Sequence, residues 1–427
     1  MTSPDKSRTL GQSRGDVEHR STKLIASSTQ TRRVNSTVAV TESPAVHDPV
    51  AVSDGNGSGP GYLSFVSVDH ELIDTEADTV EYGVGLATER IWSLTGGVQA
   101  ECGRSGRRLV ASMGVTAIGC HEAVFELHSL PPFRLDLTAW ALRRRPRNRM
   151  DTWDGRYRRA LIIDGAPIAV EVLQIGPVDA PELVVTVSAS IELTPTRLCV
   201  IQGVVERLLG LGIDLNPFYA LADADPHLRV LKDRFLGVKP PRFPTVFEGL
   251  ANAIANQQLT LEVGIELLNR LTNTYGLPAP STGGPLYTFP EARVVADVTV
   301  ADLRGLGFSA SKARYLIGLA GIVSSGGLDL DELDLMSREG ATRNLQRLHG
   351  IGRWSAEYVL LRGLGRLEVF PGDDVGARNK LQQFLNLPAP PSYAEILAIL
   401  APWYPYAGMV YFHLLLDGLV ERGALEI

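Results

Sequence analysis

The chain changes hydrophobic period near residue 211, and that change limits its architecture more than any other feature. Between residues 125 and 210 the apolar residues fall in short β-branched or aromatic runs, at 133–142, 157–163, 169–173 and 183–188. Turn residues divide them, including Asp164-Gly165, a strong two-residue hairpin signal. Such runs predict an antiparallel sheet. The stretch 196–209 has apolar residues at helical spacing and predicts a helix that packs on that sheet or leads into the next unit. From there almost to the end the period is that of amphipathic helices. The longest stretch is 247–275, a Pro/Gly-rich break follows at 276–285, and shorter candidates stand at 309–323, 339–348, 353–361, 374–384 and 406–421. The two periods belong to different packing layers. The expected fold is an α+β N-terminal domain over residues 125–210, a mixed antiparallel sheet and helix, followed by an all-helical domain over 211–427.

Upstream of residue 125 the pattern is weak. Residues 1–60 are rich in Ser, Thr, Val, Asp and Gly, lack Trp, Tyr and Phe, and show no periodic apolar face, which predicts a disordered extension. Residues 61–124 admit two readings, a poorly ordered extension or a small appended layer, and a translational start near Met113 would account for the whole region. No signal-peptide core is present and no apolar run nears the ~20 residues that span a bilayer, so no membrane association is expected. The three cysteines, Cys102, Cys120 and Cys199, are odd in number and irregularly spaced. They argue against a disulfide framework or a metal cluster, and for a reducing, intracellular setting. The net charge of -7 argues mildly against a polyanionic partner, although a total says little about how charge is arranged.

The most informative local sequence is Leu348-His349-Gly350-Ile351-Gly352-Arg353-Trp354-Ser355-Ala356, which lies between two helical patterns. Gly350 and Gly352 permit a tight turn and leave backbone N–H groups exposed at the start of the next helix, an arrangement suited to a phosphate oxygen. An ordinary glycine-rich turn between helices reads the same way. Asp374 follows Trp354 by twenty residues, at the end of Phe370-Pro371-Gly372-Asp373-Asp374. Hairpin, Gly/Pro-rich loop and aspartate together resemble the helix-hairpin-helix DNA glycosylase superfamily, and within it the 3-methyladenine DNA glycosylase II branch. The similarity begins near Phe125, strengthens from Phe247 and runs almost to the C-terminus.

That resemblance assigns catalysis to Asp374. Cleaving an N-glycosidic bond builds positive charge on the deoxyribose, which an ionised carboxylate stabilises. Asp373 then caps the following helix or holds the loop; in the bland alternative both acids only cap that helix. Relatives that also cut the DNA backbone carry a Schiff-base lysine in the hairpin, where this chain has Trp354, so the resemblance implies a monofunctional enzyme. Cluster-bearing relatives use C-terminal cysteines, and none follows Cys199, so no iron-sulfur cluster is expected. The resemblance implies no cofactor beyond a structural monovalent cation at the hairpin carbonyls.

Trp354 and Tyr358, four apart on one helical face, match base-pocket aromatics of the resembled family; taken singly, they read as core. Ala407 and Leu415 stand where that family has an arginine and a late pocket aromatic, which loosens the expected base preference. Gln257 and Gln258 resemble the turn that enters the minor groove, with Gln258 filling the gap left by the flipped nucleotide; polar residues at a buried helix junction are the alternative. Gly350, Gly352 and Arg353 are the expected contacts to the DNA backbone. Nine Arg against three Asp between Arg134 and Arg159 predict either a phosphate-facing patch or a charged edge strand. Arg378 is a candidate partner for Asp373 or Asp374, while His349 and His413 read as structural.

The expected activity is therefore hydrolytic release of alkylated purines such as 3-methyladenine from duplex DNA, leaving an abasic site. The alternatives are a glycosylase for another damaged or mismatched base, and a non-catalytic damaged-DNA binding protein. The implied partner is duplex DNA and the implied setting a cytoplasmic, nucleoid-associated monomer.

Overall fold

The computed structural model describes residues 93–102, 107–115, 119–281, 283–330 and 332–427, with side chains from residue 109 onward. The extension expected over residues 1–60 lies outside the described residues. Seven strands form one antiparallel sheet: β1 (Ser93–Cys102), β2 (Arg107–Val115), β3 (His121–His128), β4 (Thr152–Trp153), β5 (Tyr157–Ile163), β6 (Ala166–Gln174) and β7 (Glu182–Ala189), in the order β1-β2-β3-β7-β6-β5-β4. The β5–β6 hairpin turns on Asp164-Gly165, both at positive φ, as that dipeptide predicts. The sheet also reaches upstream of the expected boundary at residue 125, because β1, β2 and the start of β3 belong to it. Gly96 and Gly97 with a register shift in β1, and paired arginines opening β2, hide the alternation that marks a strand. Cys199 is disulfide-bonded, which corrects the expectation drawn from cysteine spacing.

Residues 133–142 are not a strand. They contribute most of helix α1 (Leu135–Arg143). Leu135, Ala139 and Leu142 pack with the sheet and with α2 (Pro195–Leu209), whereas Leu137, Trp140 and Ala141 pack into a separate core of the helical region. A helix with apolar residues on two faces loses the single stripe by which helices are recognised, so its sequence reads as a short apolar run. The arginines after it correct a second expectation. Arg144 is buried at the C-cap, and Arg145 pairs with Glu262. Arg156 and Arg158 pair with Glu171, and Arg159 is buried. Most of the run is neutralised within the fold and lies neither on an edge strand nor in an open phosphate patch.

The helical region comprises α3 (Asn216–Ala224), α4 (Pro226–Arg234), α5 (Val246–Asn256), α6 (Leu261–Tyr275), a ribbon of β8 (Pro278–Ala279) and β9 (Leu286–Tyr287), α7 (Ala292–Ala296), α8 (Val300–Gly305) and α9 (Ala310–Ser324). It continues with α10 (Glu332–Leu335), α11 (Arg338–Gln346), α12 (Arg353–Arg362), α13 (Val375–Phe384), α14 (Tyr393–Leu400) and α15 (Ala407–Glu421). The 247–275 stretch splits into α5 and α6 because Thr260 caps α6, accepting from the Val263 N–H, after Gln258 has taken a left-handed conformation. Helix α12 is buried from Ser355 to Arg362. Ala356, Tyr358, Val359 and Leu360 join the core built with α5, α6, α9 and α11, while Leu361 joins the core built with α1, α4 and α15.

A buried polar network ties the sheet to the helices. Arg159 of β5, 2 % exposed, donates to Asp151 at 2.5 Å and to Glu248 of α5. Tyr157 donates to the same Asp151 at 2.8 Å. Burial and the Asp151 charge push the Tyr157 hydroxyl well up, and the Arg159 cation, by contrast, holds the Asp151 carboxyl down against the opposing effect of burial. Arg159→Ala leaves two carboxylates buried without their cation and should lower the unfolding free energy in urea by about 3–5 kcal/mol.

Candidate active site

The hairpin is built by α11, the turn 347–352 and α12. Gly350 sits at φ +88°, and a Cβ there would come within 2.4 Å of the Tyr315 ring of α9, so both the backbone and the close approach require glycine. Gly352 is the N-cap of α12 and supplies no side-chain cap, which leaves the N–H groups of the first turn without a side-chain acceptor at the positive end of the helix dipole. Gln257 is held against this turn: its amide donates to the Gly350 carbonyl at 2.7 Å and to Ser355 Oγ at 3.0 Å. The adjacent Gln258 is exposed, at φ 53°. The α5–α6 turn therefore abuts the hairpin, with Gln257 bracing it and Gln258 projecting to solvent.

Asp374 is the N-cap of α13. Its Oδ1 accepts from the Ala377 N–H at 2.9 Å and its Oδ2 from Trp354 Nε1 at 3.2 Å. Capping and a role in chemistry are thus compatible in one side chain, since each oxygen serves a different direction. Asp373 does not cap. It forms a two-pronged pair with Arg353, at 2.7 and 3.0 Å, and the Arg353 guanidinium lies 3.7 Å over the Tyr393 ring. Arg353 therefore makes the pairing with Asp373 that was contemplated for Arg378, while its half-exposed guanidinium keeps further donors.

Trp354 and Tyr358 stack with ring centroids 5.5 Å apart and planes at 30°. Trp354 is half-buried and Tyr358 is 3 % exposed, so Trp354 is the member of the pair with surface to offer a ligand. The Tyr358 hydroxyl accepts from Arg144 at 2.7 Å, and Arg144 also donates to Asn252 of α5 at 2.8 Å. Arg362, fully buried, lies near the rings of Phe243, Tyr358 and Phe412 and donates to the Ala141 carbonyl at 2.8 Å. Tyr411 of α15 edges against Phe370; burial, and then the charge of Asp374, push its hydroxyl well up. Ala407 opens α15 and Leu415 lies on it, half-buried.

Sequence reasoning missed Arg144, Glu357, Tyr393 and Tyr411. A signal existed only for Glu357, an acid inside an otherwise apolar helix segment, since a charge there demands partners. In the sequence two histidines read as structural. His349 packs edge-on against Tyr315 at 4.8 Å, and His413 is buried with Nδ1 at 2.7 Å from the Met409 carbonyl, its pKa lowered to about 4 by burial.

The structure thus brings together a hairpin whose second helix begins without a side-chain cap, an aromatic pair on that helix and a helix-capping aspartate against the first aromatic. The chain belongs to the HhH-GPD superfamily of base excision DNA repair proteins, whose family model matches residues 251–405. It is 33% identical over 210 residues to the DNA-3-methyladenine glycosylase of Bacillus subtilis, covering 49% of this chain and 69% of that protein. It is 28% identical over 179 residues to DNA-3-methyladenine glycosylase 2 of Escherichia coli, covering 42% and 60% respectively. Among solved structures, the 3-methyladenine DNA glycosylase from Archaeoglobus fulgidus superposes with a TM-score of 0.61 at 26% identity, over 70% of this chain and 99% of that one.

Gly350→Ala forces an L residue to φ +88° and its methyl into Tyr315. It should cost about 1–3 kcal/mol in urea denaturation.

Proposed function

We propose that this protein is a monofunctional DNA glycosylase that hydrolyses the N-glycosidic bond of alkylated purines such as 3-methyladenine in duplex DNA, leaving an abasic site. The observation that carries this reading is the Asp374 carboxylate, presented at the N-terminus of α13 and hydrogen-bonded to the indole of Trp354. The hairpin N–H groups and the Gln257–Gln258 turn hold the backbone of the duplex largely without regard to sequence, Gln258 fills the space of the displaced nucleotide, and Trp354 stacks on the flipped base.

An N-alkylated purine leaves as a cation losing its charge. The C1′–N bond breaks with its electron pair passing to the base, positive charge develops on the sugar, and Asp374 stabilises it. Water then adds to C1′ and releases a proton to solvent. The base is a good leaving group, so little further assistance is needed. Trp354 carries no amine for a Schiff base, hence the abasic product. The Leu348 and Gly350 carbonyls each accept one hydrogen bond and keep a second lone pair, donor chemistry that suits a structural monovalent cation. No iron-sulfur cluster belongs to this reading. It entails a monomer acting on DNA in the nucleoid; no helix among the described residues is long and apolar enough to cross a membrane.

One observation favours a second reading. Arg144 and Arg362 set two guanidinium groups against Tyr358, which opposes a cationic base and favours one with carbonyl acceptors, such as an oxidised or deaminated purine. Duplexes carrying each lesion separate the two. Release of 3-methyladenine should exceed release of the oxo-bases, and a reversed order makes the second reading the correct one. Asp374→Asn should slow single-turnover release by about 100-fold or more. Lesion binding by the wild type without any release would leave only a damaged-DNA binding module. Strand breaks should appear only after alkali; breaks without alkali contradict the inference from Trp354.

A further inference from the structure

Three consecutive residues of the loop before α13 are each held by a different residue of α12. Gly372 N–H donates to Glu357 Oε2 at 3.2 Å, Asp373 pairs with Arg353, and Asp374 accepts from Trp354. A fourth residue, Tyr393 of α14, braces this attachment from outside. Its hydroxyl donates to Glu357 Oε1, Arg353 lies over its ring, and a Cβ on Gly372 would come within 2.8 Å of that ring. The glycine of the loop is therefore set by the tyrosine packed on it.

We infer that Glu357 and Tyr393 are positioning residues for Asp374: they clamp the Gly372-Asp373 segment to the hairpin helix so that the carboxylate is held rigidly beside Trp354. The inference rests on the glycosylase reading and adds to it two residues that touch neither base nor sugar. Glu357 is buried, which pushes its carboxyl up, and the loop residue that donates to it, Gly372, is followed directly by two further acids. An acid placed there at such cost is explained by its two donors, because one carboxylate accepts both at once. Burial and then Glu357 raise the Tyr393 hydroxyl to about 12, so it stays a donor across the working range. The same geometry gives Arg353 its role. With the guanidinium held between Asp373 and the Tyr393 ring through Nε and one Nη2 hydrogen, it closes the clamp.

Tyr393→Phe removes only the hydroxyl and keeps the ring under Arg353 and against Gly372; Glu357→Gln keeps shape and one acceptor. Single-turnover release of 3-methyladenine and affinity for an abasic duplex are measured for both variants, at a temperature where circular dichroism reports them folded. Each should release base about 10-fold more slowly while the duplex dissociation constant stays within about 2-fold. In an Asp374→Asn background the same substitutions should slow the residual rate no further, since the residue they position is gone. A wild-type rate in Tyr393→Phe, or equal slowing with and without Asp374, overturns the positioning role. A wild type that releases no base from any lesion duplex sinks the glycosylase reading itself, a result distinct from either.

Discussion

Everything in the helical region depends on the double burial of α12. Its residues from Ser355 to Arg362 are enclosed by two separate hydrophobic cores, while its first turn stays at the surface. A helix packed on all sides cannot shift without opening both cores, since interiors are close-packed and yield little. The exposed first turn thereby inherits a rigid position. The N–H groups of that turn, the Trp354 indole and the contacts that hold Asp374 all project from this one element, so their mutual distances are set by a single helix.

The sheet contributes to that rigidity through charge. Arg159 brings β5 to α5, and Arg144, at the end of α1, reaches both α5 and the Tyr358 hydroxyl. Buried ionic groups of this kind are stable only when every partner is in place. The network is therefore a registration device: the sheet docks on the helical region in one arrangement, and that arrangement is the one in which Tyr358 is oriented under Trp354. The negative net charge of the chain is consistent with this economy. Many of its arginines neutralise internal acids, and the backbone amides proposed to meet phosphate add nothing to the formal count.

Local chemistry made part of this legible in the sequence. The Asp164-Gly165 hairpin and the glycine turn at Gly350 and Gly352 are read over a few residues, because turns and helix starts are governed by backbone conformations that only certain residues adopt; the twenty-residue spacing from Trp354 to Asp374 was legible through the family resemblance. Helix α1 was illegible for the opposite reason, since its side chains are divided between two cores and no single face is apolar. Which of the two readings of Asp373 holds, cap or loop anchor, was likewise undecided, because it depends on where Arg353 lies, and that side chain comes from twenty residues upstream.

By itself the sequence determined the order of the two regions, the place of the hairpin and the presence of a carboxylate at the head of α13, since each follows from periodicity or from residue types in short range. Only the tertiary structure decided that Arg353 pairs with Asp373, that Arg144 holds Tyr358, and that Glu357 and Tyr393 grip the loop before Asp374. Those pairings join residues from 15 to 214 positions apart. A side chain's partner at such separation is set by how helices cross and which cavities remain to be filled, and no local pattern encodes it.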